Sequence, residues 1–271
     1  MSVESWIRYV YPHAINLKPL HSGYVANTYI FTSEDKKYIC KEIVIKHDVR
    51  ISSNLTARDI FNRELESLNR LSSRLFDSVI IPLVLAKSEK NCMYVIPFYD
   101  FTPFNQVLLN DEKVEDCIRS LGKFLAQFHS NNAIDANTVY LHGDLNNKNI
   151  GLLNDGKVLI LDPSYRDDEI KGSLYKDVGR MLLNFFPYSP RHFWKVPKQK
   201  RFVYAQRFLE TYAKESKLPF DKQVAIQKSQ EILRNKKLQP AVQSKKLKHY
   251  IMDAMVYFIA KQLKEFSQIV G

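Results

Sequence analysis

The sequence predicts an α+β protein in two parts: a small β-rich amino-terminal lobe with one key helix, then a larger, mostly helical carboxy-terminal lobe. Two patterns predict it. Short, strand-like apolar segments bounded by turn residues crowd the first hundred positions, whereas apolar residues at steps of three and four dominate afterwards. Between the two patterns, Pro97, Asp100, Thr102 and Pro103 interrupt any regular element. The expected division is therefore 1–98 for the first lobe, 99–104 for a connecting hinge and 105–271 for the second lobe.

Within the first lobe, residues 20–31 and 37–45 read as the two arms of a hairpin that turns at Ser33-Glu34-Asp35-Lys36. Residues 56–71 carry Phe61, Leu65, Leu68 and Leu71 at helical spacing, and residues 80–86 and 92–98 read as two more strands. Over residues 112–130, Val114, Ile118, Leu121, Leu125 and Phe128 recur at steps of four and three, the pattern of an amphipathic helix. Residues 140–162 read as a loop with short strands and 176–186 as a helix. Pro187, Pro190 and Pro197 punctuate the next stretch, and 200–270 reads as helix broken at Pro219 and Pro240. Met252, Met255, Tyr257 and Phe258 near the end are expected to be core residues.

The chain has 271 residues, 45% of them hydrophobic and 25% charged, an ordinary globular composition that excludes disorder as the main state. No apolar run reaches membrane-spanning length, and Glu4 and Arg8 interrupt the first apolar stretch, which argues against a secretory leader. The three cysteines, Cys40, Cys92 and Cys117, have no metal-ligand spacing and cannot all pair, which fits a reducing, cytoplasmic setting. The net charge of +11 is unevenly spread. Residues 191–248 hold sixteen Lys and Arg against four Asp and Glu, leaving 24 against 25 elsewhere. That stretch is either a solvated helical face or a docking surface for an anionic substrate, protein or membrane surface. Its aromatic residues, Phe193, Trp194, Phe202, Tyr204, Phe208 and Tyr212, either stack on a ligand or bury the helix. No nucleic-acid-binding motif accompanies it.

The chemistry concentrates in Leu141-His142-Gly143-Asp144-Leu145-Asn146-Asn147-Lys148-Asn149 and in Asp162, which comes directly after the apolar run Val158-Leu159-Ile160-Leu161. A carboxylate ending a buried strand needs a compensating cation, and a metal ion can supply it. Two Asp and one Asn suit a Mg²⁺ site beside a general base, because Mg²⁺ takes one or two carboxylates and leaves its other positions to substrate phosphates. The spacing H-x-D-x-x-x-x-N with a later strand-terminal Asp is the catalytic-loop arrangement of kinases. Lys41 lies in Tyr38-Ile39-Cys40-Lys41-Glu42-Ile43, with Cys40 on the opposite face of the strand. Glu64 falls three residues after Phe61 and four before Leu68, on the inward face of its helix, where an isolated carboxylate is costly and a lysine partner accounts for it.

With these motifs, the sequence resembles the protein-kinase-like superfamily over about residues 20–186. The His-Gly-Asp form is most similar to aminoglycoside and choline phosphotransferases, lipopolysaccharide-core sugar kinases and RIO-type atypical protein kinases. The resemblance implies a two-lobed protein-kinase-like fold that uses ATP and Mg²⁺. It implies Asp144 as catalytic base, Asn149 and Asp162 as metal ligands, and Lys41, paired with Glu64, as the lysine on the nucleotide phosphates. Gly23 and Asn27, in Gly23-Tyr24-Val25-Ala26-Asn27-Thr28-Tyr29, resemble the phosphate loop of small-molecule kinases, without the G-x-G-x-x-G of protein kinases. Asp177 resembles the residue that braces the catalytic loop, and it is also placed to cap its helix. His142 is expected to be a scaffold hydrogen-bonder and His129 a capping or packing residue.

Asp177 comes only 15 positions after Asp162, no A-P-E motif lies beyond, and Pro163-Ser164 stands where conventional protein kinases have Phe-Gly. There is no room for a peptide-binding platform. The expected activity is transfer of the γ-phosphate of ATP to a hydroxyl of a small molecule or sugar, such as a lipopolysaccharide-core sugar or an aminoglycoside-like acceptor, by a cytoplasmic enzyme or one peripheral to the inner face of a membrane. Two alternatives stand beside it, an atypical Ser/Thr protein kinase of the RIO-like kind and a non-catalytic basic binding module.

Overall fold

The computed structural model describes residues 1–23, 25–45, 55–73, 76–186, 195–238 and 246–270. The chain forms two compact units: residues 1–75, 81–100 and 161–166 make the first, and residues 76–80, 101–160 and 167–271 the second.

The first unit is built on an antiparallel five-stranded sheet. Its strands are β1 (Ile15–Ser22), β2 (Ala26–Ser33), β3 (Lys36–Ile43), β5 (Ala86–Ser88) and β6 (Met93–Pro97), in the order β1-β2-β3-β6-β5. β2 and β3 meet in a two-residue hairpin, with Ser33 opposite Lys36. Glu34 and Asp35 at its tip have φ of 49° and 58°, the left-handed pair that matches the twist of the strands. One arm departs from the expected hairpin. Residues 20–22 finish β1 and the chain reverses before β2, where the Gly23 N–H donates to the Ala26 carbonyl at 2.8 Å. Apolar patterning alone cannot separate two strands joined by so tight a turn. The strand expected over 80–86 is likewise shorter. Val79–Ile80 forms β4 in the second unit, and β5 begins only at Ala86.

Each face of this sheet carries a helix. One face packs against α1 (Val3–Val10), whose Trp6 and Ile7 join Phe31, Cys40, Met93 and Val95 in one core. The other packs against α2 (Ala57–Ser72), which begins with a capping box. The Asp59 N–H donates to Thr56 Oγ1 at 3.1 Å, and the Thr56 N–H donates to Asp59 Oδ2 at 2.8 Å. Ile60, Phe61, Glu64, Leu65, Leu68 and Leu71 form the buried stripe of α2.

The second unit carries a four-stranded sheet in the order β4-β10-β9-β7, with β7 at Phe101–Pro103, β9 at Ile150–Leu153 and β10 at Val158–Ile160. β8 (Val139–Tyr140) pairs separately with β11 (Lys171–Gly172). The helices are α3 (Phe104–Val107), α4 (Asp111–Asn131), α5 (Asp167–Ile170), α6 (Tyr175–Asn184), α7 (Lys198–Glu215), α8 (Lys222–Leu238) and α9 (Lys246–Val270). α4 packs on α7, α6 on α8, and α8 on α9. Gly179 lets α6 approach α8, since a Cβ there would lie 3.1 Å from the Ser229 backbone nitrogen. The helical break at Pro219 falls between α7 and α8, while Pro187, Pro190 and Pro240 lie outside the described residues.

The aromatic residues of the basic stretch belong to the core. Phe202, Tyr204, Phe208 and Tyr212 are all buried, so they pack α7 against its neighbours; Phe193 and Trp194 lie outside the described residues. The carboxy-terminal aromatics correct the sequence reading in the opposite direction. Tyr257 is 72% exposed and Phe258 41%, because the buried stripe of α9 runs through Val256, Ile259, Leu263 and Phe266, one helical step away. Met255 is half-buried, and the side chain of Met252 lies outside the described residues.

Removing the anchor of α1 should weaken the first unit. Trp6→Ala is expected to cost about 3 kcal/mol or more, the usual penalty for truncating a buried Trp. Urea unfolding monitored by circular dichroism measures it, and an unchanged midpoint would show that α1 does not support the sheet.

Candidate active site

The candidate residues form two constellations, one in each unit. In the first, the register sets Lys41 of β3 opposite Tyr94 of β6 and Thr28 of β2. Lys41 therefore shares the sheet face on which α2 packs, while Cys40 turns to the opposite face and is fully buried. Lys41 Nζ donates to Glu64 Oε1 in an ion pair and lies 3.3 Å from Asp162 Oδ1. The Tyr94 hydroxyl donates to the same Glu64 oxygen at 2.9 Å. Burial works against the charged form of Lys41, but the carboxylates of Asp162 and Glu64 more than offset it and hold its pKa well above the ordinary value. Lys41 is therefore a fixed ammonium ion at neutral pH.

Asp162 is the strained member. It is exposed and has φ of 48°, a left-handed conformation that asparagine and aspartate tolerate better than other non-glycine residues. Such strain persists only where the surroundings impose it, and it concentrates at functional sites. Its segment, 161–166, belongs to the first unit although β10, from which it emerges, belongs to the second.

Gly23 occupies the turn between β1 and β2. Asn27 is not brought to Lys41. It lies directly opposite Glu42, on the other face of the sheet, and its Nδ2 donates to Glu42 Oε2 at 2.9 Å. Ser22 Oγ donates to Asn27 Oδ1 at 3.1 Å, and the Tyr29 hydroxyl donates to Glu42 Oε2 at 3.2 Å. The Asn27 side chain thus ties together the strands that flank the Gly23 turn, whereas the loop resemblance implies a phosphate contact for it.

In the second unit, the segment from Leu141 to Asn149 is organised from beneath by Asp177 of α6. This carboxylate is fully buried and accepts from the backbone N–H groups of His142 (Oδ2, 2.7 Å) and Gly143 (Oδ1, 2.9 Å). Gly143 has φ of 79°, so the turn that presents both N–H groups to one carboxylate favours glycine. His129 of α4 lies fully buried behind it, with Nε2 3.3 Å from Asp177 Oδ2 and Nδ1 2.7 Å from the Tyr212 hydroxyl of α7. Burial alone would raise the Asp177 pKa, but the hydrogen bond and charge of His129, aided by His142 and the Gly143 N–H, hold it below the usual carboxylate value. His142 is buried, and its Nδ1 accepts from the Asp144 N–H at 3.2 Å.

These contacts leave the Asp144 side chain at the surface, while Asn149 is buried and donates through Nδ2 to Asp144 Oδ2 at 3.0 Å and to the Asp144 carbonyl at 3.0 Å. The Asn149 amide oxygen is then the end turned away from the Asp144 carboxylate. Among the described residues no group of three or more His, Cys, Asp or Glu side chains could cage a metal ion. Mg²⁺ needs no such cage. It takes one or two hard protein oxygens and fills its shell with phosphates and water, and the carboxylate of Asp162 and amide oxygen of Asn149 are donors of that kind.

Sequence reasoning expects His129 only to cap or pack and Tyr212 only to stack or bury its helix, and it gives Tyr94 no role; the link from Tyr212 through His129 to Asp177 appears only in the fold. A signal exists for His129. It stands four residues beyond Leu125, itself four beyond Leu121, on the apolar stripe of α4, and a histidine there needs a buried polar partner.

No protein-family model matches the sequence, and no curated relative was found. Solved structures do match along nearly the whole chain. The aminoglycoside phosphotransferase APH(4)-Ia superposes with a TM-score of 0.56 at 10% identity, over 98% of this chain and 97% of its own. A thermostable mutant of that phosphotransferase, solved as a ternary complex with ADP and hygromycin B, gives 0.57 at 10% identity, over 99% and 98%. A protein described as a putative fructosamine-3-kinase from Haemophilus somnus 129PT gives 0.54 at 12% identity, over 93% and 91%. This chain has the protein-kinase-like fold. Among its described residues, no helix is long and apolar enough to cross a membrane.

The Asp177 brace makes stability depend on acid. Because its pKa is lowered on folding, its stabilisation is fully present above about pH 4 and is lost as the pH falls through the folded-state value. Asp177→Asn keeps one acceptor oxygen and removes the charge, at an expected cost of about 1–3 kcal/mol in thermal or urea unfolding at pH 7. The difference between the two proteins should shrink as the pH falls below about 4; a difference independent of pH would remove the charge from this account.

Proposed function

We propose that this protein is an ATP- and Mg²⁺-dependent phosphotransferase that moves the γ-phosphate of ATP to a hydroxyl of a small molecule or sugar. The observation that carries the reading is the fixed ammonium of Lys41, held by Glu64 and lying beside the strained carboxylate of Asp162. A surface lysine with a surface partner needs neither a buried glutamate nor a left-handed aspartate. The exposed carboxylate of Asp144, set in a braced turn beside Asn149, supports the same reading.

Each residue then has a defined task. Lys41 contacts the α- and β-phosphates, and Glu64 fixes its direction. Gly23 lets the backbone approach the phosphates without a side chain in the way, and Asn27 keeps the strands around it together. Asp144 orients the acceptor hydroxyl and takes its proton as the acceptor oxygen bonds to the γ-phosphorus. The bond between that phosphorus and the bridging oxygen breaks, and ADP departs with the electron pair. Asp162 and Asn149 would hold Mg²⁺, which neutralises charge on the phosphates when bound.

A small acceptor is favoured over a peptide because the segment between Asp162 and Asp177 is occupied by α5 and β11 and has no length left for a substrate platform. ATP use and three free cysteines fit a cytoplasmic protein.

Incubation with radiolabelled ATP and panels of aminoglycosides, sugars, lipopolysaccharide-core fragments and proteins tests the reading. Transfer to a small hydroxyl compound supports it, and transfer to protein alone selects the atypical protein kinase instead. Asp144→Asn should lower kcat by about 10²–10⁴-fold with little effect on ATP affinity, whereas Lys41→Met should chiefly raise the KM for ATP. Wild-type turnover in Asp144→Asn would remove that residue from the base role.

A further inference from the structure

The +11 charge is distributed in a way that the phosphotransferase reading does not use. Part of the basic stretch that stands out in the sequence is paired or buried. Lys198 pairs with Glu265 at 2.8 Å, Lys228 with Glu231 at 2.7 Å, and Arg207 with Glu115, while Arg201 is buried. Residues 191–194 and 239–245 of that stretch lie outside the described residues. Three other cations enter no ion pair among the described residues and line one groove: Arg234 on α8, and Lys261 and Lys264 on α9.

α8 and α9 are antiparallel. The start of one is clamped to the end of the other, where Gln223 Nε2 donates to the Ser267 carbonyl at 2.9 Å and Ser267 Oγ donates to Gln223 Oε1 at 2.6 Å. Beyond the clamp the helices bound a groove of about 820 Å³. α8 contributes Gln227, Gln230 and Arg234, one stripe at steps of three and four, and the stripe of α9 runs from Lys264 through Lys261 to the exposed ring of Tyr257. α8 packs on α6 through its other face, at Ser229 and Ile232, so the groove lies on the side of α8 away from the Asp177 helix. Among the described residues that line the groove, the one carboxylate is Glu265; Lys198 engages it, and the charge of Lys261 also acts on it. Lys261 and Lys264 stand three apart on one helix, a repulsive spacing for like charges that a bound anion relieves.

We propose that this groove binds a compact ligand carrying two or more phosphate groups. The cations supply charge, the side-chain amides of Gln227 and Gln230 supply neutral donors for phosphate oxygens, and Tyr257 offers a ring face to the ligand's sugar or base. From Gln227 to Arg234 the stripe spans about 10 Å, enough for two or three phosphates. The concave, amide-lined shape suits a small polyanion; a membrane surface needs a flat or convex apolar face. The proposal is independent of the phosphotransferase reading.

Inorganic tripolyphosphate titrated into the full chain by calorimetry, without nucleotide or Mg²⁺, tests it. The expected result is one site whose affinity falls with added salt and survives Lys41→Met. The combined Arg234→Gln, Lys261→Gln and Lys264→Gln variant should bind about 10²-fold or more weakly, since it loses three charged hydrogen-bond donors. The same exchange at three other exposed lysines, Lys113, Lys123 and Lys214, should leave the affinity within about twofold. No binding by the wild type, equal loss in both triple variants, or loss in Lys41→Met would overturn the groove as the site. So would binding to phosphatidylserine vesicles without binding to tripolyphosphate, which would make the surface a membrane contact.

Discussion

The second unit is organised around one buried negative charge. Asp177 has no access to water, and a carboxylate in that position is tolerable only with its oxygens fully occupied by donors. The donors come from separate parts of the chain: two backbone N–H groups of the turn at His142 and Gly143, and the ring of His129 on α4, itself tied to Tyr212 on α7. Satisfying this one group fixes the turn relative to α6 and couples α4 and α7 to it. The exposure of Asp144 is a consequence, because the turn that spends its N–H groups downward on Asp177 presents the next side chain outward. The base role proposed for Asp144 would use that combination of a rigid backbone and an accessible carboxylate.

The first unit uses charge differently. Lys41 is flanked by Glu64, which is buried and fixed by Tyr94, and by Asp162, which is exposed and conformationally strained. A lysine between two carboxylates in a partly buried setting gains little net stability once desolvation is counted. In the proposed phosphotransferase reading, Glu64 would be the permanent partner of the ammonium, and Asp162 the residue that would help hold Mg²⁺. Asn27 shows the same economy of roles. It sits beside the Gly23 turn in sequence, yet β-alternation turns its side chain to the face of Glu42, where it stabilises the turn from behind.

The range of each interaction decides whether the sequence discloses it. The α2 stripe, the β2–β3 hairpin and the amphipathic α4 rest on periodicity and turn chemistry within about 20 residues, and they are legible. So is the inward position of Glu64, a matter of helical phase. The β1–β2 reversal escapes detection because apolar spacing continues through it, and β4 is hidden because a two-residue strand pairing with residue 158 leaves no local trace. His129 and Tyr212 meet across 83 residues, and no pattern within either helix names the partner. The acceptor is illegible for the same reason. In the proposed reading, acceptor choice would belong to the loops and helices around the site, which no local motif reports.

The charge illustrates the limit of composition as an argument. A window count marks residues 191–248 as the basic surface, but a count does not distinguish a lysine that faces water from one that is paired across helices. Folding sends part of that charge into ion pairs with Glu115, Glu231 and Glu265 and buries Arg201. It then assembles a smaller set on one groove from Arg234 and from Lys261 and Lys264, which lie beyond the window. Exposed pairs contribute little energy, so their value lies in deciding where uncompensated charge remains. Anion recognition depends on that remainder and on its convergence along a concave surface, neither of which net charge reports.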